Sequence, residues 1–432
     1  MRSDSAVRSD FDVAVVGAGP AGVAAACRAA ESGARVVLVD DGLRPGGQIW
    51  RHRPSNVPPA ARTWLDRLAR SGATILSLAT VFDAVRHDDH WLLPIEDAQP
   101  LAARRIVIAT GARELMLPFP GWTLPNVFSA GGLQALVKSG FDVAGKTVVV
   151  AGSGPLLLPV AATLARAGAR LAVVAEAAPL GSLVRFSSAL AGSPAKLVDA
   201  VKYRLAFRGA RYRTGTWVIE AAGTDRVESV TLSDGRRIAC DLAAVSYGLV
   251  PNADLAELLG CDTDRDGVRV DDCQRTSIDG VFAAGEPCGV AGVDVALAEG
   301  EIAGLAAAAD GDVEVPPALV LARAGGRRIA RAMADAFRPR DELRQLARPD
   351  TIVCRCEDVR HARFDPAWTA RQAKLATRAG MGACQGRVCG PALAELFGYS
   401  AQSVRTPLKP TSLGALSSLE DDAWSGTEYS PR

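Results

Sequence analysis

Short apolar runs rich in β-branched residues recur along this chain, and glycine-rich turns and alanine-rich stretches of helical length follow them. Residues 13–16 (VAVV) read as a strand, 24–30 as a helix and 35–39 (RVVLV) as a second strand. The same order returns at 147–151 (TVVVA), 158–167 and 171–175. Two strand–helix–strand repeats predict an α/β fold with parallel sheets. Between them the pattern predicts an amphipathic helix at 61–71, strands near 74–82 and 91–95, and a buried strand at 104–110. A crossing segment at 118–140 has turn signals at Pro120-Gly121 and Pro125-Asn126. A helical stretch at 181–209 precedes strands near 211–221 and 227–232 and a hairpin-like turn at Asp234-Gly235. The alanine-rich segment 293–309 reads as a helix. Beyond the Pro316-Pro317 boundary, 319–348 is helical in composition and carries Arg323, Arg327, Arg328, Arg331, Arg338, Arg340, Arg344 and Arg348. A solvated face is the expectation there, with a docking surface for an acidic partner as the alternative.

The glycines give both repeats a chemical meaning. Gly17, Gly19 and Gly22 form GxGxxG between the first strand and helix, beside Pro20 and Ala21. Gly17 permits the turn, Gly19 admits a pyrophosphate to the backbone, and Gly22 lets helix and strand approach, with the helix N-terminus aimed at the phosphates. Asp40, followed by Asp41, ends the second strand where an acid takes ribose hydroxyls. In the second repeat Gly152 and Gly154 make the turn and Glu176 supplies the acid, favouring NAD over NADP. Leu157, however, stands where a third glycine belongs, and Pro155 stiffens the turn. NAD(P), another adenine nucleotide and a purely structural role all stay open for this second site.

A net charge of +1 over 432 residues leaves no footprint for nucleic acid or an anionic membrane. No apolar window spans a bilayer, and the start MRSDSAVRSD lacks the apolar core of a secretory signal, so a cytoplasmic protein is expected. Only His52, His87, His90 and His361 are available for imidazole chemistry, and no acid–base couple stands out, so no catalytic residue is assigned.

Nine cysteines in a reduced compartment point to metal or redox work. Four fall into CxC and CxxxxC: Cys354, Cys356, Cys384 and Cys389. Clustered thiols want a soft metal, either zinc or iron–sulfur. Structural zinc favours CxxC, whereas CxC spacing suits a two-iron cluster better. Gly380, Gly382, Gly386 and Gly390 free backbone N–H groups for the sulfurs, and Arg355 and Arg387 offset negative charge. Cys27, Cys240, Cys261, Cys273 and Cys288 have no ligand spacing.

Several segments resemble known families. Gly46-Gly47-Gln48 is similar to the GGQ loop of two-dinucleotide-domain flavoproteins, and Ala109-Thr110-Gly111 resembles their ATG motif. Residues 246–252 resemble their GxxPN segment, and Gly285-Glu286 resembles the second flavin signature, with Glu286 in place of the usual aspartate. Residues 354–390 resemble the bacterioferritin-associated-ferredoxin-like [2Fe-2S] domain. The whole arrangement, over about residues 11–416, resembles the α (A-type) subunits of heteromeric amine dehydrogenases and oxidases. That family includes the α chains of D-hydroxyproline dehydrogenases, the A chains of opine oxidases and the B chains of hydrogen cyanide synthases.

The resemblance implies FAD, a [2Fe-2S] cluster on the four cysteines, and a flavin-containing amine-oxidising partner subunit, with a small ferredoxin-like subunit as a further partner. It also implies two Rossmann-like domains plus a small helical C-terminal domain. The first half of the FAD domain is expected at 11–120, an NAD(P)-like domain at 121–270 and the second FAD half at 271–315. An arginine-rich linker at 316–348, the [2Fe-2S] domain at 349–400 and a tail at 401–432 complete the chain. An electron relay is the leading expectation, with D-hydroxyproline favoured over opines, sarcosine and glycine as the complex's substrate. A self-sufficient NAD(P)H reductase and an assembly scaffold are the alternatives.

Overall fold

A computed structural model of the chain describes residues 11–190, 193–400 and 404–422. The chain divides into two compact units. One is drawn from the described parts of Met1–Ala112, Pro251–Arg327 and Ser403–Arg432, the other from Arg113–Val250 and Arg328–Gln402.

In the first unit, Thr74–Ser77, Val36–Asp40, Phe11–Val16 and Leu101–Ile108 lie side by side in that order, all parallel. The far edge of Leu101–Ile108 is shared. Its first residues pair antiparallel with His90–Leu93, and Ile106–Ile108 pair parallel with Val281–Ala283. The period-2 alternation of the β-branched runs divides the core between the two faces. Val13, Val15 and Val107 pack under the helices Pro20–Glu31 and Val293–Ala308, whereas Ala14, Val16, Ile106 and Ile108 pack with Trp91, Leu93 and Leu255. The strand expected to reach residue 82 stops at Ser77 because Leu78 takes φ +56°, which an extended ladder does not admit.

The second unit repeats the plan. Arg211–Thr214, Arg170–Glu176, Thr147–Gly152, Leu242–Ser246 and Val127–Ser129 form a parallel sheet in that order. The helix Leu157–Arg166 covers one face, and residues of a three-stranded antiparallel sheet, Val218–Ala222, Ser229–Leu232 and Arg237–Ala239, pack against the other. Residues after 350 add a small module in the same unit. The hairpin Ile352–Cys354 and Val359–Arg360 and the helices Ala370–Thr377 and Cys389–Phe397 close on Val353, Phe364, Ala373, Leu393 and Tyr399. Trp122 Nε1 ties the module down by donating to the Ile352 carbonyl at 2.6 Å. The long helix expected across 319–348 is instead Pro317–Ala336 followed by a 3₁₀ turn at Asp341–Gln345, since Pro339 forbids the helical conformation just ahead of it.

Candidate functional site

The first glycine loop is built by close approach. Gly17 has φ +103°, and a Cβ there would run into the Ala109 carbonyl; one at Gly22 would run into the carbonyl of Gly17. Gly19 differs: nothing lies within 4 Å of where its Cβ would be. It caps the helix Pro20–Glu31, and among the described residues no side chain caps the first-turn N–H groups. The 46–48 loop presses on the same spot. Gly46 donates to the Ala18 carbonyl at 2.7 Å, Gly47 (φ +56°) would set a Cβ 2.9 Å from Gly19 Cα, and Gln48 receives Arg51 Nε at 3.2 Å. Asp40 accepts the N–H of Ala18 at 2.5 Å and of Gly42 at 2.7 Å, and burial pushes its carboxyl above the ordinary range. Asp41 faces elsewhere, engaged by Lys409 Nζ at 3.0 Å.

The later flavin-type segments return to this unit. Thr110 and Asn252 exchange bonds: Thr110 Oγ1 donates to the Asn252 carbonyl at 2.6 Å, and Asn252 Nδ2 to the Thr110 carbonyl at 2.9 Å. The Asn252 N–H also reaches the Gly111 carbonyl at 2.9 Å. Gly285 (φ +80°) sits against Ala21, so that a Cβ on it would stand 2.7 Å from that of Ala21. Burial raises the Glu286 carboxyl, and no hydrogen bond or ion pair holds it among the described residues. An uncapped helix end, an open space at Gly19 and a carboxylate without a partner fit a bound dinucleotide such as FAD.

Pattern reading missed three features here. Gly300 and Gly304 lie so close to the helix Pro20–Glu31 that a Cβ would strike the carbonyls of Ala21 and Ala25; their i, i+4 spacing was the available signal. Glu299 is buried. Arg323 and Arg327, assigned by composition to a solvated face, turn inward to Asp272 and Gln274, and to Glu299, respectively.

In the second unit Gly152 (φ +140°) approaches Ser246, and Leu157 is fully buried. Glu176 is 1 % exposed and takes the N–H of Gly154 at 3.1 Å and of Ala178 at 2.9 Å. Burial pushes it up to about 7. Ser153 Oγ lies 3.1 Å from the Phe337 carbonyl, and the Phe337 ring meets Phe186 edge-on at 5.2 Å. The chain's own Phe337 therefore lies beside this glycine loop.

The four patterned cysteines meet two by two. Cys354 is hydrogen-bonded to Cys389, and Cys356 to Cys384. The bond from Cys389 holds the Cys354 thiol below its ordinary range against the opposing effect of burial, helped by the N–H groups of Gly380, Glu357 and Cys356. Gly382 stands against the Cys356 side chain, where a Cβ would collide. Among the described residues no three His, Cys, Asp or Glu side chains surround a single ion position.

A family model described as pyridine nucleotide-disulphide oxidoreductase matches residues 11–300. The A-type polypeptide of opine oxidase from Agrobacterium tumefaciens is 32% identical, with 96% of this chain and 93% of that protein covered. Hydrogen cyanide synthase subunit HcnB of Pseudomonas aeruginosa is 33% identical over 90% of this chain and 92% of its own length. Among solved structures, L-proline dehydrogenase from P. horikoshii shares the fold at TM-score 0.66 and 21% identity, covering 94% of this chain and 79% of that one. No helix of the described residues is long and apolar enough to cross a membrane. With both Rossmann-like units in place, the chain belongs to the pyridine nucleotide-disulphide oxidoreductase family and is an FAD-dependent oxidoreductase related to subunits of heteromeric enzymes.

Proposed function

We propose that the chain is the electron-transferring subunit of a heteromeric amine or imino-acid dehydrogenase, binding FAD in its first unit and a [2Fe-2S] cluster on Cys354, Cys356, Cys384 and Cys389. The pairwise meeting of the thiols carries this reading. A tetrahedral metal with thiolate bonds of about 2.3 Å keeps its two sulfurs roughly 3.8 Å apart, near the spacing of two hydrogen-bonded thiols. Two such pairs suit two irons better than one zinc. Backbone N–H groups at Cys354 favour the thiolate that any metal requires.

When bound, FAD supplies two-electron chemistry and the cluster one-electron chemistry. The chain's own groups bind and orient. The first-turn N–H groups after Gly19 receive the pyrophosphate, Asp40 holds the loop and offers its remaining lone pairs to a ribose, and Glu286 meets the ribityl–pyrophosphate stretch. The lack of any cysteine between Cys27 and Cys240 speaks against dithiol chemistry at the flavin. D-hydroxyproline is the favoured substrate of the complex, with opines, sarcosine and glycine as the other members of the class. An adjoining flavin-containing subunit would oxidise the amine, and the relatives' names as subunits support this division of labour.

The burial of Glu176 speaks against a self-sufficient NAD(P)H reductase, because the carboxyl that would take the ribose is 1 % exposed, with Phe337 beside its glycine loop. Purified full-length protein is expected to absorb as both flavin and iron–sulfur and to give a two-iron paramagnetic signal after dithionite. Cys384→Ser should lose iron and sulfide while keeping flavin. Wild-type protein with flavin but neither iron nor sulfide would overturn the relay.

A further inference from the structure

The 3₁₀ turn Glu286–Cys288, between Gly285 and Gly289, joins the strand Val281–Ala283 to the loop ahead of the helix Val293–Ala308. One ion pair holds both its ends. Glu299, 1 % exposed, accepts the Gly285 N–H through Oε2 at 3.0 Å. Its Oε1 receives Arg327, 2.7 Å from Nε and 2.6 Å from Nη2. Arg327 then reaches over with Nη1 to the Gly289 carbonyl at 3.2 Å. The fork geometry of guanidinium makes this double grip possible, and an ammonium would manage only one arm of it.

Each held end is also a glycine that no other residue replaces cheaply. Gly285 has φ +80° and faces Ala21 in the first turn of the dinucleotide helix; Gly289 has φ +112° and would place a Cβ 2.8 Å from Arg327 Nη1. Between these ends stands Glu286, whose carbonyl accepts the Gly289 N–H but whose carboxylate has no hydrogen bond or ion pair among the described residues. Nothing but the turn's backbone then decides where its carboxylate points.

We infer that Glu299 and Arg327 are a positioning pair, which clamps the Gly285–Gly289 turn so that the unpartnered Glu286 carboxylate meets the polar stretch of the bound dinucleotide. The inference rests on the reading of residues 285–286 as a flavin contact and goes beyond it by naming what sets the contact. An exposed ion pair would do little, but the carboxylate of this one is desolvated and the pair is bonded to backbone at both ends, so breaking it shifts main chain rather than a surface side chain.

A merely structural tie between helices would act independently of Glu286, and a double-mutant cycle separates the two roles. Apo full-length protein is titrated with FAD, following flavin fluorescence, for wild type, Arg327→Met, Glu286→Gln and the double variant. Each single change is expected to weaken FAD binding about tenfold, and the double to be little weaker than either. Arg327→Lys should fall between wild type and Arg327→Met. Additive effects, or unchanged FAD affinity in Arg327→Met, would overturn the clamp. Should Arg327→Met fail to fold by circular dichroism, Arg327→Lys takes its place in the cycle. Wild-type protein that binds no FAD would sink the underlying flavin reading, whereas additive effects in protein that binds FAD sink only the clamp.

Discussion

Asp40 and Glu176 occupy matching positions, each at the end of the second strand of its repeat and each accepting two backbone N–H bonds. Their surroundings differ. Asp40 keeps part of its surface, but Glu176 is closed in, with Ser153 and Tyr212 beside it and Phe337 over the neighbouring loop. A carboxyl whose ordinary value is 4.5 and whose folded value is about 7 binds more protons in the native than in the unfolded state between those limits. Stability from this group is therefore full below pH 4.5, falls as pH rises toward 7 and is level above, a loss on the order of 3 kcal/mol. Glu176→Gln should remove that component, so the drop in melting temperature between about pH 5 and about pH 8 is expected to shrink. An unchanged drop would mean that Glu176 is ionised in the fold throughout. The acid was legible in the sequence because a strand end fixes its place; its covering was not, since Phe337 comes from 184 positions beyond Ser153.

At the scale of elements, the strand–turn–helix units could be read directly, because β-branched runs, glycine turns and alanine helices are local signals. What the sequence concealed was the partner each helix chooses. Val293–Ala308 looks like any alanine-rich helix, yet Gly300 and Gly304 let it lie directly on the backbone of Pro20–Glu31. Gly300→Val would drive a branched side chain into the Ala21 carbonyl, and overpacking of this kind costs about 1–3 kcal/mol or more. Ala21 also belongs to the first turn of the helix proposed to receive the phosphates. The variant should therefore lose flavin on gel filtration as well as several degrees of melting temperature. Retained flavin with a lowered melting temperature would show that the helix end tolerates the push. The arginine-rich segment illustrates the converse limit: composition cannot tell Arg327, half-buried and paired with the buried Glu299, from Arg338, which is exposed on a surface pair.

For the whole molecule, the contrast between the two repeats bears on where electrons enter. One glycine loop is open at Gly19 and has an acid with surface left, and the other is lined by buried Leu157, Glu176 and Ser153 with Phe337 alongside. A nicotinamide dinucleotide would have to displace the Phe337 segment to reach the buried Glu176 carboxyl. On the proposed relay, reductant arrives from another polypeptide. Rapid mixing of the flavin-loaded chain with NADH or NADPH should therefore leave the flavin oxidised on the timescale of turnover, although dithionite bleaches it at once. The same chain, mixed with the proposed amine-oxidising partner and amine, should bleach. Fast bleaching by NADH alone would show that the Phe337 segment moves aside, and the second repeat would then be the point of electron entry.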